Sequence, residues 1–166
     1  MKEALTELLP SLRRFAYSLT GQMADADDLL QSTVEKLLSK PVPADVPLAA
    51  WAFRVCRNLW IDDYRARKVR LSAAQSPELT DYQIVDGTRA MEQKVALEQV
   101  NQAMDKLPDD HRSILALVCL QGLSYKAVAE VLEIPTGTVM SRLARARIAL
   151  AESLKPQNLN PARTPL

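Results

Sequence analysis

Apolar residues recur at three- and four-residue intervals along almost the whole chain, and that period belongs to helices. Leu5, Leu8, Leu9, Leu12, Ala16 and Leu19 predict an amphipathic helix over residues 3–19, closed by Thr20-Gly21. A second helix opens near Ala24 with Asp25, Asp27 and Asp28 in its first turn, where carboxylates suit the positive end of the dipole. Leu30, Val34 and Leu37 carry its stripe to about Ser39. The loop KPVPADVP follows, and Pro41, Pro43 and Pro47 stop any helix there. A third helix runs from about Leu48 to Lys68 on Leu48, Ala52, Val55 and Leu59, flanked by Trp51 and Cys56. The period then disappears over residues 69–89, whose turn formers read as a flexible linker.

Helix returns from about Ala90 to Lys106, striped by Leu97, Val100, Met104 and Leu107. Pro108, Asp109 and Asp110 start another helix. Its Ile114, Leu115, Leu117, Val118 and Leu120 are apolar nearly all round, which implies burial, and Gly122 ends it. Ser124 caps a short helix with Tyr125, Val128, Ala129 and Leu132 inward. After the turn Glu133-Ile134-Pro135, a last helix spans Thr136 to about Leu154. Residues 155–166 are Pro-rich and expected to be disordered. With only 4 glycines and 5% aromatics, the chain lacks the material of a sandwich or barrel. The expected fold is all-α: two small helical domains, residues 1–68 and 90–154, joined by the flexible linker.

Several functions are excluded. A single His, His111, and no Cys/His cluster leave no basis for a metal site; His111 reads as a surface or cap residue. No nucleophile motif or Gly-rich phosphate loop frames a catalytic group, so neither an enzyme nor a cofactor is expected. No signal peptide or membrane span is legible, which places the chain in the cytoplasm without membrane insertion. One disulfide between Cys56 and Cys119 is arithmetically possible. Their apolar helical surroundings instead favour two buried, reduced thiols.

The net charge of +1 hides segregation. Residues 51–70 hold six cations (Arg54, Arg57, Arg65, Arg67, Lys68, Arg70) against Asp62 and Asp63. Residues 136–155 hold Arg142, Arg145, Arg147 and Lys155 against Glu152. The stretch between, residues 72–110, carries eight acids and three bases. Two basic segments divided by an acidic one suit two contacts with one polyanion, though two solvated helix faces would give the same pattern.

Residues 124–150 have the form of a helix-turn-helix. On the last helix Val139, Leu143, Ala146 and Leu150 face the core. Ser141 and Arg145 lie opposite, Thr138 lies beside them, and Arg142 and Arg147 take the flanks. Small or hydrogen-bonding groups there could reach base edges while long cations reach phosphates. In WAFRVCRNLWIDDYRARKVR, half of the chain's aromatics fall among six cations. That mixture suits unstacked bases lying on rings, and Trp60 and Tyr64, one turn apart and off the main stripe, are the candidate platforms. Trp51 and Phe53 read equally well as core.

DADDLLQSTVEKLL resembles a motif of conserved region two of the bacterial extracytoplasmic-function (ECF) sigma factors, in the sigma-70 family. PLAAWAFRVCRNLWIDDYRARKVR resembles that family's segment of spaced Trp, Asn, Asp and Arg. LPDDHRSILALVCLQGLSYKAVAEVLEIPTGTVMSRLARARIAL resembles region four. The resemblance implies a promoter-specificity subunit that directs core RNA polymerase to stress- or signal-responsive promoters. It implies polymerase contacts to the beta-prime clamp and beta flap, the clamp contacts being Asp25, Asp28, Leu29 and Gln31. Arg54, Asn58, Trp60, Tyr64, Arg65, Arg67 and Lys68 would hold the opened minus-ten element. Thr138, Ser141, Arg142, Arg145 and Arg147 would read the minus-thirty-five duplex. Promoter DNA and an anti-sigma factor are the further implied partners. Three features depart from the family pattern: Glu133 where Gly is usual, Met140 where a cation is usual, and a Pro-rich loop before the third helix. Two other readings remain open at this point: a sigma-like decoy that sequesters an anti-sigma factor without binding DNA, and an ordinary helix-turn-helix regulator.

Overall fold

A computed structural model of the chain describes residues 2–66, 70 and 88–155, without the side chains of 64, 65 and 88–95. The expected linker and tail, residues 69–89 and 155–166, therefore fall almost wholly outside the described residues. Those described form seven α-helices and no strand. They are α1 (Lys2–Thr20), α2 (Met23–Ser39), α3 (Leu48–Leu59), α4 (Thr88–Asp105), α5 (Asp109–Leu115), α6 (Tyr125–Leu132) and α7 (Thr136–Leu154). Two helices continue in wider π-helical turns: α3 through Trp60–Arg65, and α5 through Ala116–Leu120.

The first three helices pack on one another because each buries a single stripe. Leu5, Leu12, Phe15 and Leu19 of α1 meet Leu29 and Leu37 of α2 and Phe53 and Cys56 of α3 in one core. Phe15 and Phe53 meet edge to face, with ring centroids 5.2 Å apart. That is the arrangement favoured by the ring quadrupoles. Two threonines inside this core are satisfied locally: Thr20 donates to the Ala16 carbonyl and Thr33 to that of Leu29. At the end of α1 the chain turns at Gly21, whose φ of 79° is one glycine adopts without strain.

The second group builds on α5, which is buried on nearly every side at Ile114, Leu115, Ala116 and Leu117. Val128 and Val131 of α6 and Val139, Leu143 and Ala146 of α7 close over it. Ser124 caps α6, its hydroxyl accepting from the Ala127 N–H. Several expectations differ from the structure, among them Tyr125 of α6, which is exposed rather than inward. Leu97 and Val100 of α4 are exposed rather than inward. Cys119 is exposed while Cys56 is buried; Cys119 and Leu120 stand at the surface at the end of the π-helical turn after Leu115. The third helix changes to π-helical turns at Trp60–Arg65 before Ala66 and Arg70 are again α-helical.

The two groups also pack against each other, α1 and α3 of the first meeting α4, α5 and α6 of the second. Arg112 of α5 is buried at this junction. Its Nε donates to the Ser18 carbonyl at 2.9 Å, its Nη1 pairs with Asp105, and its guanidinium lies over the Trp60 ring. Asn101 of α4 donates to the Tyr17 hydroxyl and to the Gly21 carbonyl.

Candidate nucleic-acid interface

Helix α7 presents the outward row that its spacing implies. Val139, Leu143 and Ala146 are buried, so the residues between them on the far side are left to solvent. Ser141, Ala144, Arg145 and Arg147 are exposed, and Thr138 is half-buried. The Ser141 hydroxyl donates to the Thr138 carbonyl one turn back. Met140 is also exposed. Arg142 is turned differently: its Nη1 donates to Asp110 Oδ2 at 3.2 Å.

The turn before α7 is held by Glu133, the one non-glycine residue with positive φ among those described. At φ 58° and ψ 45° it sits in the left-handed region, closing α6. A residue with a Cβ is strained there by about 1–2 kcal/mol. The turn therefore has the geometry that makes Gly usual, and Glu adopts it against its preference.

Of the expected minus-ten residues, Asn58 is exposed on α3. Arg54 is not free. Its guanidinium donates to the carbonyls of Glu130 and Val131 at the end of α6 and lies 3.7 Å from the Glu133 carboxylate. Its Cζ also sits 5.5 Å from the centre of the Trp51 ring. Arg57, which the sequence did not single out as a contact, donates to Ser113 and, at 2.6 Å, to Asp110. Burial draws the Arg57 guanidinium below the usual arginine range, and the Asp110 carboxylate pulls it back up. Trp60 corrects an expectation. It is only 3% exposed, packed inward at the start of the π-helical turn with Arg112 over its ring, and is not an open platform for a base in this conformation. The side chains of Tyr64 and Arg65, and all of Arg67 and Lys68, lie outside what the structure describes.

On α2, Asp28 and Gln31 are exposed and Asp25 is half-buried. Leu29 is the second correction. At 6% exposure it belongs to the core, because it lies on the same stripe as Ala26, Thr33 and Leu37. It positions its neighbours and presents no surface of its own.

This arrangement is an all-helical pair of modules, the second a helix-turn-helix with a cationic outward face. Residues 5–70 match the family Sigma-70 region 2, and residues 97–150 match Sigma-70, region 4. The chain is 35% identical over 157 residues to the ECF RNA polymerase sigma factor EcfG of Rhodopseudomonas palustris, covering 93% of this chain and 84% of that one. It is 30% identical over 153 residues to SigW of Bacillus subtilis, covering 86% and 82%. Its fold matches that of a Bartonella quintana sigma factor, RpoE, solved in complex with the anti-sigma factor NepR. The TM-score is 0.68 at 29% identity, over 92% of this chain and 95% of that one. The chain belongs to the ECF RNA polymerase sigma factors, the subunits that confer promoter specificity.

Proposed function

We propose that this sigma factor uses Asp25, Asp28 and Gln31 of α2 to engage the polymerase clamp and α7 to read the minus-thirty-five element in the major groove. Region two, through Asn58 and the cations of residues 54–68, holds the opened minus-ten strand. Unpaired bases bound there favour melting, since only the separated strand offers them. An anti-sigma factor is the expected regulator, a reading supported by the NepR complex of the related Bartonella protein. No catalytic family is indicated, so the role is to bind and to position. One observation carries this reading: Ser141, Arg145 and Arg147 stand exposed on the second helix of the helix-turn-helix, over a core stripe that fixes their direction. A decoy has no use for such a face.

The test is capture of core RNA polymerase by the parent and by Asp28→Arg. The parent should retain core enzyme and Asp28→Arg should lose it. Folding should be unaffected, because an exposed charge reversal seldom changes stability by more than about 0.5 kcal/mol. Equal capture by both proteins would place the polymerase surface elsewhere, and no capture by the parent would refute the reading.

A further inference from the structure

Two cations of region two, Arg54 and Arg57, are held in this structure by the other half of the chain. Asp110 stands in the first turn of α5 and receives Arg57 from α3 at 2.6 Å and Arg142 from α7 at 3.2 Å. Its carboxylate therefore joins a region-two arginine to a flank of the helix-turn-helix. Arg54, one turn from Arg57, reaches the last carbonyls of α6, where the negative end of the helix dipole attracts a cation. The Glu133 carboxylate lies beside it. Glu133 is the strained residue of the turn, and glycine at that position could not form this pair. Trp60 is covered by Arg112, again a region-four residue. Two arginines and one aromatic ring of region two are thus occupied across a single junction, while Asp110 also holds Arg142 within region four.

We propose that Asp110 and Glu133 form an electrostatic latch that closes region four onto α3, withholding Arg54 and Arg57 from nucleic acid until the two halves separate. The consequence for promoter binding rests on the function proposed above; the latch itself does not. The pairs are partly solvated, with Asp110 and Glu133 side chains 46% and 68% exposed. Each is therefore weak, and salt screens them. Such a latch biases a closed form that binding partners can still open, since a ligand that favours the open form shifts the balance by its differential affinity. Glu133 then has a role that accounts for its presence at a left-handed position.

The test compares the full-length parent with Asp110→Asn/Glu133→Gln and with Glu3→Gln/Glu7→Gln. The last pair makes the same charge change at exposed positions of α1, away from the junction. All three should keep their far-ultraviolet dichroism, because the replaced groups are solvated and the replacements nearly isosteric. Small-angle scattering reads the radius of gyration, and fluorescence anisotropy reads binding to a labelled single-stranded oligonucleotide of mixed sequence. At about 50 mM salt the latch variant should be larger than both other proteins. It should also bind the strand roughly 5-fold more tightly than the charge-matched control, from the release of two weak pairs. The parent, compact at about 50 mM salt, should expand at about 500 mM, where exposed pairs are screened. Equal dimensions and affinities for the latch variant and its control, or a parent whose size does not respond to salt, would overturn the latch. Failure of the sigma reading would show separately, as a parent that opens with salt yet does not bind core polymerase.

Discussion

Replacing Glu133 by Gly should stabilise the protein, and by an amount that depends on salt. Two effects oppose each other. Glycine relieves the left-handed strain, about 1–2 kcal/mol for a residue with a Cβ. It also loosens the unfolded chain, which returns about 0.4–1 kcal/mol of that gain. The lost partner is Arg54, 3.7 Å away, and Glu133 is 68% exposed, so the pair contributes at most about 0.2–0.5 kcal/mol. The net gain is therefore about 0.5 kcal/mol. It should raise Tm by about 1–2 °C, since 1 kcal/mol moves a domain of this size by about 2–4 °C. Screening removes the ion pair and leaves the strain, so the advantage of Glu133→Gly over the parent should grow between low and high salt. Glu133→Ala keeps the strain and loses the pair, and should melt at or slightly below the parent. Scanning calorimetry of the three proteins at two salt concentrations measures all of this. A Glu133→Gly protein less stable than the parent would refute the strain assigned to the turn, and an advantage indifferent to salt would refute the pairing with Arg54.

Arg145→Ala removes an exposed cation from the outward face of α7 proposed to read DNA; a good base contact is worth about 1–3 kcal/mol, so affinity for promoter duplex in a gel shift should fall roughly 5- to 150-fold. Thiol titration of the native chain should find one fast-reacting cysteine, Cys119, and a second only after denaturation: burial pushes the Cys56 thiol up to about 12, partly opposed by its hydrogen bond with Thr33, so it holds almost no thiolate at neutral pH. Trp60→Ala should lower unfolding stability in urea by about 3–5 kcal/mol, the loss for a core tryptophan; a change below about 1 kcal/mol would contradict its burial.

Much of the fold was legible because the helical period is strong and its interruptions carry recognisable chemistry. The final helix lies at Thr136–Leu154, the span expected, since Pro135 begins it and its stripe is unbroken. Ser124 caps α6 as a serine before an apolar run should. What was not legible depends on residues far apart in sequence or on geometry without a signature. Nothing in WIDDYR or ALVCL announces a π-helical turn, and the second of them ends at the exposed Cys119 and Leu120. Leu97 and Val100 are spaced as core residues but lie at the surface, because a stripe shows which face is apolar and not whether a neighbour covers it. The motif resemblance makes Leu29 a contact, while its own stripe with Ala26 and Thr33 points inward. The candidate site was legible on α7, where period and chemistry lie on one helix. On α3 it was half legible: the cations were found, but their partners Asp110, Glu130 and Glu133 stand more than fifty residues away.

The most direct test of promoter-specificity function is run-off transcription with core RNA polymerase and a library of promoter fragments. Adding the protein to core enzyme should produce discrete transcripts from a subset of the library, and Asp28→Arg and Arg145→Ala should each reduce them. A protein that binds core enzyme yet yields no transcript from any fragment above core alone would contradict that function.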